Sequence, residues 1–255
     1  MADRLNTITI NFLGTGSNGG IPQIDCRCRN CSKQNVGIHR LRSSILLKSG
    51  KTILIVDCGP DFREQLLKEN LRLNQISAII ISHLHPDHSI GLLELGNGKP
   101  LSVPISAHPL VCESLIKNEP FQFLFINNFA KISPAIHSPF EVNFIKIPHG
   151  NCDLAFAIKI LHKKKSILIA TDISKITEDF IEAARKVDLI IFDGTFLKND
   201  SHGHMCIEKS SEILKRLKTK IIFTHVNHSE NLTEMENFLK GFGFSVAKDG
   251  QSITL

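Results

Sequence analysis

Residues 79–91, IIISHLHPDHSIG, place His83, His85, Asp87 and His88 within six positions at the end of an apolar run. In extended chain His83 and His85 stand two apart, so their side chains project to the same side. Pro86 restrains His85 and suits the first position of a helix, which puts Asp87 and His88 in its opening turn, facing the same space. Imidazole and carboxylate are ligands that zinc, manganese and iron accept, and a catalytic centre keeps one position open for water. A single strand-end histidine is ordinarily a satisfied polar residue. His-x-His-x-Asp-His at a strand-to-helix junction reads instead as one side of a metal centre. Four ligands in one turn serve two metals only when distant residues complete both shells.

Three apolar runs end on such residues: NFIKIPHGN on His149, SILIATDIS on Asp172 and KIIFTHVNH on His225. Each alone is weak, and together they repeat one arrangement. A second cluster, IDCRCRNC, holds Cys26, Cys28 and Cys31. Thiols this close do not all pair as disulfides without strain, and three thiolates need one more ligand to close a tetrahedral zinc site. His228, three residues after His225, is the expected fourth. Such a site has no open position and is structural. Cys58, Cys112, Cys152 and Cys206 read as ordinary buried thiols.

Elements must carry these residues to a common point. Apolar, β-branched runs predict strands at Thr7–Phe12, Ser44–Leu47, Thr52–Val56, Ala78–Ile81, Val142–Ile147, Ala155–Ile160, Ser166–Ala170, Leu189–Phe192 and Lys220–Phe223. Helical periodicity marks PDFREQLLKEN, HPLVCESLIKN, SKITEDFIEAARK, IEKSSEILKRLK and LTEMENFLKGF. LLKSGKTILIVD signals a hairpin, and HKKKS, with Lys163–Lys165, reads as a solvated turn. The pattern predicts an α/β fold, an αββα sandwich of two mixed sheets flanked by helices, in one domain over residues 1–255 with a small cysteine loop at 26–31. The stretch 120–138 is the least regular, either a lid or a surface connection.

Composition narrows the partners. The 255-residue chain is 42% hydrophobic and 22% charged, which is globular, and its net charge of +5 favours a small anionic substrate. No dense Lys/Arg cluster argues for nucleic acid. Trp and Tyr are absent, which excludes tyrosyl radicals and base stacking on those rings. No run approaches the ~18 apolar residues of a membrane span, and MADRLNTITINF lacks the apolar core of a secretory signal. Seven cysteines in such a chain suit a reducing, cytoplasmic setting. A homodimer is left open.

FLGTGS, LIVDCG, HLHPDH, His149, Asp172 and His225, in order over nearly the whole length, resemble the metallo-β-lactamase-fold hydrolases. The resemblance implies that His83, His85 and His149 hold one metal, that Asp87, His88 and His225 hold another, and that Asp172 bridges them. Asp57 would orient the ligand loop from behind. The cysteine loop and THVNH narrow the likeness to two subfamilies. One is the phosphoribosyl cyclic phosphate phosphodiesterases of phosphonate degradation. The other is the pyrroloquinoline quinone biosynthesis B proteins, similar in GSNGGIPQIDCRCRNC, GPDFREQL, GLLEL, DGTF and GHM, whose usual members lack several ligands retained here. In FDGTFLKNDSHGHM, likeness to the phosphodiesterase and to transfer-RNA-processing nucleases makes His204 the best match for a proton donor to the leaving group, with His202 second. Asp193 would support a ligand histidine.

The expected cofactors are therefore two divalent ions, zinc or manganese with iron also suited, plus one structural zinc. Such ions lower the pKa of bound water to about 7. Asp87 would align that nucleophile and His204 would protonate the leaving oxygen. The expected activity is hydrolysis of a small phosphodiester, cyclic phosphates included. The rivals are an iron-dependent oxygenase or maturation enzyme of the quinone-biosynthesis kind and a non-catalytic carrier.

Overall fold

The computed structural model describes residues 7–32, 39–133 and 136–255. The first six residues, used above to argue against a signal segment, and residues 134–135 of the irregular stretch lie outside the described residues.

Two seven-stranded sheets form the body. The first runs β14 (Ser252–Thr254), β1 (Thr9–Gly14), β2 (Ser44–Ser49), β3 (Thr52–Val56), β4 (Ala78–Ile81), β5 (Val103–Ala107), β6 (Ala130–Ile132). The second runs β13 (Ser245–Val246), β12 (Lys220–Thr224), β11 (Leu189–Asp193), β10 (Lys165–Ala170), β9 (Phe156–His162), β8 (Phe140–Lys146), β7 (Ile136–His137). Each sheet has a parallel centre: β3, β4 and β5 in one, β10, β11 and β12 in the other. β8 runs the same way as β10, because both are antiparallel to β9.

Sheets covered on both faces explain why the strands read as unbroken apolar runs. In β4 (AIII), Ala78 and Ile80 join the core between the sheets, while Ile79 and Ile81 face the outer helices. In β10, Ile167 and Ile169 point inward and Leu168 and Ala170 outward. The helices α1 (Phe62–Lys68), α3 (Pro109–Lys117) and α4 (Glu119–Ile126) supply Phe62, Val111, Leu115, Phe121 and Leu124 to one outer core. α5 (Glu178–Ala184), α6 (Ile207–Leu214) and α7 (Leu232–Lys240) supply Phe180, Ile207, Leu214, Met235 and Leu239 to the other. The sandwich is thus αββα, as expected. At about 1.5–3 kcal/mol per fully buried large aliphatic or aromatic side chain, these three cores outweigh the local strain described below.

The stretch 120–138 departs from its irregular reading. It contains most of α4, packed beside α3, and then the edge strands β6 and β7. None of its described residues lines the cavity at the strand ends. Strands β5, β6, β7, β13 and β14 were not marked by the sequence, and β1 and β8 are displaced by about two residues from the expected spans. Lys163 and Lys164 form the exposed β9–β10 turn, whereas Lys165, read as part of it, already stands in β10, paired with His162. Cys58, Cys112 and Cys206 are buried; Cys152 is only partly so, in the turn after His149, which corrects its reading as a buried thiol. Among the described residues no helix is long and apolar enough to cross a membrane.

One buried polar clasp closes the first sheet. Arg40 Nη1 donates to Thr15 Oγ1 (2.5 Å) and to the Ala247 carbonyl (2.6 Å), and Thr15 Oγ1 donates to Asp249 Oδ1 (2.5 Å). The Leu41 amide donates to Asp249 Oδ2 at 2.7 Å. Removing the carboxylate takes away the acceptor of the Thr15 hydroxyl and the Leu41 amide and a nearby counter-charge of the buried Arg40 guanidinium. Asp249→Ala is therefore expected to lower the unfolding free energy by about 3 kcal/mol, read from urea denaturation; a loss under about 1 kcal/mol would show that the clasp contributes little.

Candidate metal centre

The strands running the same way in both sheets end on one edge, and the residues following them meet there. β4 is followed by Ser82, His83 and His85, and α2 (Pro86–Ser89) then carries Asp87 and His88, as the Pro86 argument requires. β8 leads to His149, β10 to Asp172, and β12 to His225. Asp57 and His225 both take left-handed backbone, with φ of 61° and 63°. That conformation ends β3 and β12 abruptly, at a cost of about 1–3 kcal/mol each. Gly59 and Gly91 let the loop after β3 press onto the ligand turn: a Cβ on Gly59 would lie 2.1 Å from the Asp87 carbonyl. Cys58 N donates to the His88 carbonyl at 2.7 Å across the same contact.

Ligand-type atoms fall into overlapping groups, each within 4.8 Å: His83, His85, His149; Asp87, His88, His225; His83, His88, Asp172; and His149, Asp172, His204. His149 Nε2 lies 3.2 Å from His85 Nδ1, and His225 Nε2 is 3.3 Å from both His88 Nε2 and Asp87 Oδ2. Asp172 stands between the groups, with Oδ2 3.2 Å from His88 Nε2 and Oδ1 3.5 Å from His149 Nε2 and 3.6 Å from His225 Nε2. His83 Nε2 and Asp172 Oδ2 are buried and make no hydrogen bond. Two orphaned acceptors among so many donors of metal-ligand type fit divalent cations, since an unsatisfied buried polar atom costs about 1–3 kcal/mol. Nitrogen atoms about 2.0–2.1 Å from one tetrahedral zinc stand ~3.3 Å apart, close to the spacings seen.

Outer contacts fix which nitrogen faces inward. His88 Nδ1 donates to Asp57 Oδ2 at 2.8 Å. Ser82 Oγ donates to the same oxygen at 2.9 Å, which leaves it to accept from His83 Nδ1, also at 2.9 Å. Asp193 does the same in the second sheet. It accepts from His204 Nδ1 at 2.7 Å and from Thr195 Oγ1 at 2.6 Å, and Thr195 Oγ1 accepts from His225 Nδ1 at 2.9 Å. His149 Nδ1 donates to the carbonyl of Gly203 at 2.9 Å. Gly203 has φ of 86°, and a Cβ there would stand 2.7 Å from Gly150 N. These contacts leave Nε2 of His83, His88, His149 and His225 turned toward the centre, where its lone pair would meet a cation, whereas His204 turns its own Nε2 to the cavity.

The local charge is far from ordinary. Burial keeps His83 neutral, well below the usual histidine range, with the His88 charge adding to the effect. For His88 burial works the other way from its neighbours, and Asp172, Asp87 and Asp57 prevail, raising it well above that range. Asp87 and Asp172 are held well below the carboxylate range, because the surrounding imidazoles outweigh the burial that would push them up. Burial opposes charge on His204 too, but Asp193 raises it to about 9.

A cavity of about 170 Å³ opens over the centre, walled by His85, Asp87, His149, Asp172, His204 and His225 together with Ser17, Asn18, Thr195, Phe196, His202 and Asn227. His204 is buried, its Nε2 3.9 Å from Asp172 Oδ1, whereas His202 is exposed at the rim. Asp57 and Asp193 sit behind the histidines, bonded to His88 and His204. Ser82, Thr195 and Gly203 escaped the sequence reading; their only signal is adjacency to a strand-end aspartate or histidine.

The cysteine loop lies beside this cavity. Cys26, Cys28, Cys31 and His228 bring one ligand atom each within 4.8 Å. His228 Nδ1 is 3.3 Å from Cys26 Sγ and 3.5 Å from Cys28 Sγ. A tetrahedral zinc with the usual bond lengths puts sulfur and nitrogen ~3.5 Å apart, so these four fit it. Burial opposes ionisation of Cys28, yet hydrogen bonds from His228 and Cys31 bring its thiol down to about 6. Asn30 Nδ2 donates to the carbonyls of His228 and Glu230, at 2.8 and 2.7 Å, and so ties the loop to the segment carrying His225.

The Beta-lactamase superfamily domain matches residues 52–226. Coenzyme PQQ synthesis protein B of Methylorubrum extorquens is 24% identical over 297 aligned positions, covering 96% of this chain and 99% of that one. The zinc-bound crystal structure of PqqB from Methylobacterium extorquens superposes with a TM-score of 0.86 at 21% identity, over 97% and 100% of the two chains. A diphosphatase of the PhnP family gives 0.79 at 26% identity, over 98% and 97%.

If the outer contacts aim the histidines, weakening one weakens metal binding without removing a ligand. Asp57→Asn and Thr195→Val are each expected to reduce affinity for the active-site cations about 10–100-fold, read by competition with a chelating dye. Unchanged affinity in both would show that the outer contacts do not tune the centre.

Proposed function

The chain belongs to the Beta-lactamase superfamily domain family, and from that premise we propose that it is a dinuclear metal-dependent hydrolase of small phosphodiesters. The observation that carries this reading is the convergence of His83, His85 and His149 on one side of Asp172, and Asp87, His88 and His225 on the other, with His83 Nε2 and Asp172 Oδ2 left without hydrogen bonds. In this reading each triad would hold one divalent cation, with the Asp172 carboxylate standing between the two groups to serve both. The cations, when bound, supply a nucleophile at neutral pH and neutralise charge on the phosphoryl oxygens. The likeness to a PhnP-family diphosphatase supports phosphoryl chemistry. Cys26, Cys28, Cys31 and His228 hold a structural zinc.

The protein's own groups do the rest. Asp57, Ser82, Thr195 and the Gly203 carbonyl keep the imidazole Nδ1 protons occupied, so the Nε2 lone pairs stay aimed inward. Asp87, beside His88 and His225, is placed to align the attacking water. His204, anchored by Asp193 with its Nε2 toward the cavity, holds the proton that the leaving oxygen takes. The small cavity, whose described lining includes no Lys or Arg, favours a small substrate over a nucleic acid.

A second reading is supported by the near full-length match to Coenzyme PQQ synthesis protein B. In that reading the same histidines and carboxylates of this chain would hold iron and support an oxygen-consuming reaction. Oxygen uptake by iron-loaded protein with a Tyr-containing peptide, absent without it, would favour that reading.

Zinc- or manganese-loaded protein is expected to cleave bis(4-nitrophenyl) phosphate, and His85→Ala to lose at least about 1,000-fold in kcat/KM. No metal-dependent cleavage would refute the phosphodiesterase reading. His204→Ala is expected to cost about 100- to 10,000-fold on an alkyl leaving group and far less on 4-nitrophenolate, which leaves without a proton. Equal losses on the two would remove His204 from that role. One zinc per chain bound by the cysteine loop should protect Cys26, Cys28 and Cys31 from alkylation, as counted by mass spectrometry; alkylation of all three in the zinc-loaded protein would contradict the structural zinc.

A further inference from the structure

Besides carboxylates and imidazoles, the cavity lining includes a stretch of different chemistry, Ser17, Asn18 and Asn227. Ser17 and Asn18 come from the loop after β1, and Asn227 follows His225 and Val226. The two segments are clamped together, Ser17 N donating to the Val226 carbonyl at 3.0 Å and Val226 N to the Thr15 carbonyl at 2.8 Å. Ser17 is 2% exposed, and its Oγ has no hydrogen-bond partner among the described residues. A buried hydroxyl left so is a standing cost, relieved when a bound group completes it. Asn227 Oδ1 accepts from Ser229 N at 3.0 Å and Ser229 Oγ at 2.9 Å, so both N–H groups of its amide point away from that turn.

No Lys or Arg is among the described residues of this lining. Both arginines behind the loop are engaged. Arg42 pairs with Asp61 at 3.0 Å and donates Nε to the Asn18 carbonyl at 3.1 Å; Arg40 is spent on Thr15 and Ala247. A second phosphoryl group on the substrate would call for a guanidinium or ammonium partner. Hydroxyl and amide groups, which both donate and accept, match hydroxyl groups instead.

Resting on the phosphodiester reading, we infer that the organic group along this wall is uncharged and hydroxylated, a polyol or sugar ester rather than a diphosphate. Ser17 and Asn227 are its specificity-determining residues. The wall then sets which ester is accepted, while the histidine side sets that an ester is cleaved.

Three 4-nitrophenyl phosphodiesters on manganese-loaded protein test this: the ethyl, the 2,3-dihydroxypropyl and the 2-phosphoethyl ester. The dihydroxypropyl ester is expected to exceed the ethyl ester about tenfold in kcat/KM, chiefly through KM, and to exceed the phosphoethyl ester as well. Ser17→Ala and Asn227→Ala should each bring the dihydroxypropyl-to-ethyl ratio toward one. Asn227→Asp keeps the shape and removes the N–H donors, so it should do the same in a protein whose metal content and thermal midpoint are unchanged. A ratio near one in the wild type, a ratio that survives Ser17→Ala and both Asn227 variants, or preference for the phosphoethyl ester would overturn the inference. Should none of the esters turn over, the phosphodiesterase reading falls. Calorimetric titration with glycerol 3-phosphate and ethyl phosphate then decides the wall separately. Binding of the former at least about fivefold tighter, lost in Asn227→Asp, supports the inference; equal affinities overturn it.

Discussion

The Asp172 carboxylate stands within 4 Å of four imidazoles, those of His88, His149, His204 and His225, and the rest of the cleft is arranged around that contact. A carboxylate this buried is held in its charged form only by positive partners at short range. Each partner arrives from a different strand, so the two sheets cannot slide relative to one another without breaking the cluster. The αββα sandwich is the means of satisfying that requirement. Its same-direction strands in both layers finish on one edge, and the large apolar cores beneath hold the edge in place.

Behind the cluster the two sheets repeat a single device. At the end of β3, Asp57 bonds one histidine directly, His88, and reaches a second, His83, through the hydroxyl of Ser82. At the end of β11, Asp193 bonds His204 directly and reaches His225 through the hydroxyl of Thr195. One aspartate and one hydroxyl thus orient two rings in each layer. The shared segment Thr224–His228 joins this machinery to the cysteine loop, because His225 faces the centre, Asn227 the cavity and His228 the thiols. Disturbing the thiol cluster therefore moves one wall of the cavity, though no cysteine reaches the centre.

Much of this was legible in the residues themselves. Doubly buried strands such as Thr52–Val56 and Ala78–Ile81 announce themselves as continuous apolar runs, and their limits agree with the structure. Histidine and aspartate at strand tips are rare enough, taken together, to point to one place. What escaped did so for physical reasons. The edge strands β6, β13 and β14 are two or three residues long, and β5 carries Pro104, so none shows a periodic signal. Helix α4, EPFQFLFI, is apolar nearly all round and lacks the one-sided pattern that marks a helix. Ser82 and Thr195 are common residue types whose work depends on what stands beside them in space. Cys152 looked like a core thiol because the turn that half-exposes it leaves no compositional trace.

The pairing of β1 with β14 has a further consequence. Ile8 and Leu255 exchange backbone hydrogen bonds at the start of β1, whereas the cavity is reached through Ser17 beyond its other end. The six residues of β1 put roughly 20 Å between the two. A polypeptide continued past Leu255 would leave the molecule on the side away from the cleft. A fused domain or a solid-support tether attached there would therefore leave the mouth of the cleft uncovered.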